Sequence, residues 1–579
     1  MSILDQIAAA APWRPRQYLT RLGSRALACP TVLGTLAILI CGWKFTFGIG
    51  HSLDIDPHHE AMYLAYMLGQ YPGGIPPEYS PLYVYLYAFE RLFAANIIDL
   101  FYVQMAVLTV ALPLALFAYL MARRAPLMLA LPSSLWLMIC VANLPVRPKP
   151  MHLALIVLFC GLAVFVKLAA RKEKWAWMAF ICAALSTIRP ELLWSLVIVG
   201  SWSVYLVFAG RKLDRCMLLA VGASGAAVAG LYAVAGVPLF GERSVDALAF
   251  HFAANYAGWH GETPFTTDQN EVFRQVFGNA QSIPAAFLAN PGPFLHSMWS
   301  NLLHVPVAFG VFLLHFNLLL PRYLSFGFIE AGIAAVLLVV AVTYYGRQVA
   351  ASAPGPALSG ATRMARAIGH LRRFGAEYPD VVCLLLFLAP YATMMVVLYP
   401  RYHYVLAVGT LAFALAIALA APRLRPARLG RSAFVLALAL LAMTPSLGSV
   451  GARVDHRIGE IAVAPLTALA EARFLQSLDR GRRITVFEST DPGVSPYAGD
   501  NFRSTSPGPK PPSDVGAFLR DNDIGVVIED ERLRKIGRYS RDTEWTRFRA
   551  APGEYGFAAH TLPGTDAILY VRTDLLPRS

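Results

Sequence analysis

The sequence predicts an α-helical polytopic membrane protein with a small C-terminal soluble α/β domain, and three observations predict it. Hydrophobic residues make up 56% of the 579 and charged residues only 15%, with a mean hydropathy of +0.51, far from the balance of a water-soluble domain. Apolar runs near the length a spanning helix needs, about 20 residues, recur from residue 30 to residue 450. Beyond 450 the runs stop, and mixed charge with the break Pro507-Gly508-Pro509-Lys510-Pro511-Pro512 takes over.

The strong apolar windows are 30–48, 98–122, 151–170, 192–209, 216–236, 324–345, 381–399, 402–421 and 432–449. Weaker windows at 126–143 and 175–190 bring the expectation to about eleven crossings. Arg14, Arg16, Arg21 and Arg25 precede the first window, which lacks a small-residue cleavage site, so it reads as a retained helix. These arginines put residues 1–29 in the cytoplasm. Alternating crossings then place Arg123-Arg124, Arg171-Lys172-Lys174, Arg211-Lys212 and the basic stretch 346–379 inside as well. The transmembrane domain is expected over 30–449, with external loops 49–97 and 238–323 and an external domain over 450–579. Window 301–320 is expected to lie re-entrant or interfacial on the outer face, leaving 324–345 as the crossing.

In the external domain, β-rich runs at 483–488, 524–529 and 567–572 alternate with helical patterns at 458–479 and 514–522. The net charge of +13 sits in short clusters between apolar windows, so it reports topology and excludes a nucleic-acid partner. The seven cysteines show no metal-ligand spacing and read as small packing residues.

Two features carry chemistry. The first is Asp54-Ile55-Asp56-Pro57-His58-His59-Glu60, three carboxylates and two imidazoles just past the first apolar window. A carboxylate at a membrane surface, partly desolvated, takes the proton of an attacking hydroxyl. Asp54, Asp56, His58 and His59 are equally suited to a divalent cation, Mg or Mn, and the bland alternative is a solvated loop. The segments Ala61 to Leu68 and Tyr79 to Leu86, joined by a Pro/Gly turn, read as two interfacial helices with tyrosines at headgroup level.

The second feature is a set of basic residues beside prolines on the external face: Arg147, Lys149, Arg189, Arg322 and Arg401, the last followed by Tyr402 and His403. Positive charge is disfavoured there, and phosphate is the anion arginine holds best. Snorkelling to ordinary lipid headgroups is the competing explanation. A lipid-phosphate ligand held against the acid cluster accounts for both features together.

These residues resemble the GT-C superfamily of integral-membrane glycosyltransferases, similar to the protein mannosyltransferase and aminoarabinose transferase group. The resemblance covers about residues 30–450 and rests on the acids from Asp54 to Glu60, the helix Ala61 to Leu68 and Ser80-Pro81-Leu82-Tyr83. Arg147-Pro148, Arg189-Pro190 and Arg401-Tyr402 match its Arg-Pro and Arg-Tyr motifs. Where many relatives have Asp-Glu before the loop helix, this chain has His59-Glu60, so the base stays open among Asp54, Asp56 and Glu60, with the Asp-Pro-His-His string favouring Asp56. The resemblance implies an inverting transfer of sugar from a polyprenyl-phosphate donor to a glycan, lipid or protein acceptor, in a bacterial inner membrane with the active face periplasmic. A polytopic transporter or lipid flippase is the alternative class; such proteins keep ionisable residues near mid-helix, whereas here they collect at the borders.

Overall fold

The computed structural model describes residues 30–576 apart from 52–53, 58, 72, 141–142, 144–148, 169–170, 210–212, 239–242, 262–268, 310–376, 421–452, 456–459, 463–465, 491, 508–511, 537–538 and 540. The described N-terminal part is helical: α1 (Pro30–Thr46), α2 (His59–Met67), α3 (Pro81–Glu90), α4 (Ile97–Ala122), α5 (Leu127–Ile139), α6 (Pro150–Lys167), α7 (Lys174–Ser186), α8 (Leu193–Phe208) and α9 (Arg215–Ala235). It continues through α10 (Arg243–Trp259), α11 (Gln269–Phe277), α12 (Ile283–Ala289), α13 (Pro291–Phe309), α14 (Pro379–Val397) and α15 (Tyr402–Ala420).

Local chemistry sets the helix ends. The Asn96 side chain accepts from Asp99 N and opens α4, and Asp214 does the same for α9 through Met217 N, each meeting an amide the helix leaves unpaired. Proline at the first position starts α3, α6 and α14. Gly236 ends α9 at φ 75°, where a Cβ would lie 2.4 Å from Pro77 Cγ; only glycine allows this approach.

Five stretches among the described residues are long and apolar enough to cross a membrane: Ile97–Ala122, Pro150–Lys167, Pro190–Phe208, Arg215–Ala235 and Pro379–Val397. Shorter apolar helices occupy Pro30–Thr46, Leu127–Met138, Lys174–Ser186 and His403–Leu419. Their positions match nine of the expected windows; windows 324–345 and 432–449 fall outside the described residues, and the described helices do not reach eleven spans. α4 and α6 form the centre, with Phe101, Leu108, Leu112 and Leu116 packed among Leu155, Leu158, Phe159 and Leu162. α9 lies at the rim: 6% of its span is buried against 56% for α4, which leaves its apolar face for lipid. Where a re-entrant segment is expected over 301–320, α13 has already begun at Pro291, and residues beyond 309 lie outside the description.

The C-terminal part begins with an antiparallel pair, β1 (Arg453–Asp455) on β2 (Glu460–Ala462). This corrects the expected helix from 458: residues 460–462 pair as a strand, and helix α16 begins only at Thr467 and ends at Ser477. A five-stranded mixed sheet follows, in the order β4-β3-β5-β7-β6. Its strands are β3 (Ile484–Phe487), β4 (Phe502–Thr505), β5 (Ile524–Glu529), β6 (Phe557–Thr561) and β7 (Ile568–Arg572). β3 pairs in parallel with β4 and β5, while β7 runs antiparallel to β5 and β6. All six residues of β5 are buried, which is why it reads as an unbroken apolar run. Helices α17 (Val515–Asp521) and α18 (Thr543–Ala550) cover the sheet over a core of Phe487, Leu519, Trp545, Phe548 and Tyr570.

This domain sits on α2 and α4. Gln70 donates to Phe502 O at 3.1 Å, Arg91 pairs with Asp500 at 2.9 Å, and the Tyr497 ring meets Phe101 edge-on at 5.6 Å.

Candidate active site

Asp56 accepts from His59 N at 3.3 Å through Oδ1, while its own carbonyl accepts from Ala61 N. The carboxylate thus closes the entrance to α2 and brings Asp56 and Glu60 to the same buried side, with 1% and 0% of their surfaces exposed. Between them comes Lys149, extended ahead of Pro150 as a residue before proline must be. Its Nζ lies 3.0 Å from Asp56 Oδ2 and 3.7 Å from Glu60 Oε1.

On α3, Tyr83 and Tyr87 share a face by their four-residue spacing, and both donate to Glu60 Oε2, at 2.9 and 2.8 Å. Tyr63 packs edge-on against Tyr83 at 4.9 Å, and Gln104 of α4 is fully buried beside it. For Tyr83 and Tyr87 this corrects the expectation of headgroup anchors: their hydroxyls are spent on a carboxylate. Burial pushes the Glu60 carboxyl up to about 7, against the downward pull of Lys149, with Asp56 adding to the rise and the two hydroxyls opposing it. Ser80, left-handed at φ 59° and ψ 58°, donates to Ile188 O at 2.7 Å. This strained residue ties the start of α3 to the turn that carries Arg189.

Arg189 is 8% exposed; its Nε meets Glu191 Oε1 at 2.7 Å, and its Nη2 donates to Tyr404 OH at 3.3 Å. Arg401 lies over the Phe250 ring at 5.5 Å. Its turn is braced by buried Asn301, which donates to Val396 O and Leu398 O at 2.9 Å each. His403 lies within reach of the charges of Arg189, Arg401, Lys149 and His59, and of these it is Lys149 that touches the acid pair. Each of these residues follows an apolar helix of the described set: α1 precedes Asp56 and Glu60, α5 precedes Lys149, α7 precedes Arg189 and α14 precedes Arg401. At the other end Arg123 pairs with Asp380 at 3.1 Å, joined by the Tyr119 hydroxyl at 2.8 Å.

Other expected site residues are placed differently. Asp54 turns away from the acid pair: its oxygens accept from Ala468 N at 3.1 Å and Leu469 N at 2.8 Å, capping α16 across the domain boundary. His59 is exposed at the first position of α2, and Tyr402 opens α15. His58, Arg147 and Arg322 lie outside the described residues. Among the described residues no three His, Cys, Asp or Glu side chains are grouped to hold a metal ion. Of the expected Mg or Mn ligands, Asp54 accepts from two main-chain amides and Asp56 pairs with Lys149. Tyr87, Gln104, Glu191, Tyr404 and Tyr497 were not singled out from sequence. A tyrosine pair four residues apart facing an acid-bearing helix was a usable signal for Tyr83 and Tyr87, whereas Tyr497 left none. Two surface concavities, of about 360 and 300 Å³, lie against α10 and α11 and between α7 and α9, apart from this cluster.

No protein-family model and no curated protein matches the chain. Among solved structures it is similar to the oligosaccharyltransferase of Archaeoglobus fulgidus, tethered to an acceptor peptide containing an NVT sequon, at 13% identity and a TM-score of 0.40 over 94% of this chain and 73% of that one. The complex of that enzyme with Zn and sulfate gives 13% identity and a TM-score of 0.39, with the same coverage.

Proposed function

We propose that the chain is a membrane glycosyltransferase of the GT-C kind, moving a sugar from a polyprenyl-phosphate donor to an acceptor hydroxyl with inversion, on the periplasmic face of a bacterial inner membrane. The observation that carries this reading is the buried Asp56 and Glu60 pair bridged by Lys149.

In this reading the acceptor oxygen forms a bond to the anomeric carbon as its proton passes to Asp56. The bond from that carbon to the phosphate oxygen breaks, and its electron pair leaves with the phosphate. Arg401 and Lys149 meet the charge that develops there, where exclusion of water strengthens them. Donor phosphate competes with Asp56 for Lys149, so donor binding loosens the ion pair that occupies the base. Glu60, held on one oxygen by Tyr83 and Tyr87, takes up a proton as pH falls toward 7, which limits the negative charge beside Asp56. Arg189, already paired with Glu191 and Tyr404, orients the turn.

The test is transfer of labelled sugar by membranes holding the full chain, across a panel of polyprenyl-phosphate sugars, with and without chelator. Transfer that depends on Asp56 supports the reading. Normal transfer by a correctly inserted Asp56→Asn protein, or none from any donor by the wild type, sinks it.

A further inference from the structure

The C-terminal domain grips the main chain that carries Asp56 at several points. The Asp54 carboxylate caps α16, binding the amides of Ala468 and Leu469. Thr490 Oγ1 donates to Pro57 O at 3.2 Å. Between these, the Tyr497 hydroxyl donates to the carbonyl of Asp56 itself at 2.9 Å, and the tyrosine is fully buried. Tyr497 belongs to the one-turn helix Ser495–Ala498, whose entry is tied down by the buried Glu488 carboxylate, accepting from Gly493 N at 3.1 Å and Val494 N at 2.6 Å. A Cβ on residue 493 would fall 2.2 Å from Glu488 Oε2 and displace that carboxylate from these amides.

The Asp56 side chain is held from the membrane domain by Lys149, and its main chain from the C-terminal domain by Tyr497. We infer that the C-terminal domain is a positioning element for the reaction, and that Tyr497 sets where the Asp56 carboxylate points. A bond to the main chain of the base leaves donor affinity alone while moving the base by fractions of an ångström, and placement on that scale governs rate. The inference rests on the glycosyltransferase reading, so its test has one arm that does not.

The variant is Tyr497→Phe in the full chain, which removes one hydroxyl and keeps the ring on Phe101. It should lower kcat by about tenfold, the equivalent of one hydrogen bond, with KM for the donor within about twofold. Amide hydrogen exchange across residues 54–61 should quicken while exchange in α6 stays as in the wild type. Thr490→Val, close in shape, should shift both readouts the same way by less. A wild-type kcat in Tyr497→Phe, a loss confined to KM, or unchanged exchange across 54–61 overturns the inference. If the intact chain transfers no sugar from any donor, the glycosyltransferase reading fails instead, and the exchange arm still decides whether Tyr497 fixes this segment.

Discussion

Asp54 and Asp56 are two residues apart and chemically alike, yet their surroundings give them different work. Asp54 faces the first-turn amides of α16 and Asp56 faces Lys149, so equivalent substitutions should separate them. On the proposed mechanism Asp56→Asn removes the proton acceptor and should lower transfer by about 10²-fold or more, read as initial rate in membranes with insertion checked. Asp54→Asn keeps one acceptor oxygen for the amides of Ala468 and Leu469 and loses the other, so it should weaken the cap while transfer falls far less than in Asp56→Asn. Asp54→Ala should weaken docking of α16 by about 1 kcal/mol, visible as a lower melting temperature. If Asp54→Asn is as inactive as Asp56→Asn, the division of roles is wrong. Lys149 is the countercharge for both buried carboxylates, and Lys149→Met leaves them without it. Such losses run to about 3–5 kcal/mol; this one should fall near the lower end, since Glu60 can take a proton. Thermal unfolding of purified protein checks this, and a variant as stable as wild type would contradict it.

At the scale of elements, α2 and α3 face each other across Glu60, which makes their packing sensitive to pH. The Glu60 carboxyl is raised from an ordinary 4.5 to about 7, chiefly by burial. The folded protein therefore holds this proton more tightly than the unfolded chain. The associated stability is complete below about pH 4.5 and falls as pH climbs toward 7, by no more than about 3 kcal/mol. Glu60→Gln, which keeps a side chain able to accept from Tyr83 and Tyr87, should flatten that part of the melting-temperature curve; an unchanged slope would place the titration elsewhere. The helices themselves were legible because lipid demands long apolar runs. The acid cluster was legible because charge beside an apolar run is costly. Asp54's role was not, since its partners are main-chain amides more than 400 residues away that any sequence would supply. The β1 and β2 pair escaped notice because three-residue strands carry too little alternation to stand out from the helical pattern that follows.

The whole molecule has polar clusters at opposite ends, Asp56, Glu60 and Lys149 at one and Arg123, Tyr119 and Asp380 at the other. An apolar layer separates them where Leu108, Leu112 and Leu116 of α4 pack with Leu155, Leu158 and Phe159 of α6. A carrier has to expose its binding residues to each side in turn, which would require this layer to part. An enzyme working at one face needs no such opening. His59 is exposed beside the acid pair and lies on the same side as the C-terminal domain, so it reports access without touching the core. With the seven native cysteines replaced, His59→Cys should react with a membrane-impermeant maleimide from one face only. The face and the rate should stay the same when a polyprenyl-phosphate sugar is added, apart from any shielding by the bound donor. Labelling that moves to the opposite face under turnover would mean the layer between α4 and α6 opens, and the chain would have to be read as a transporter.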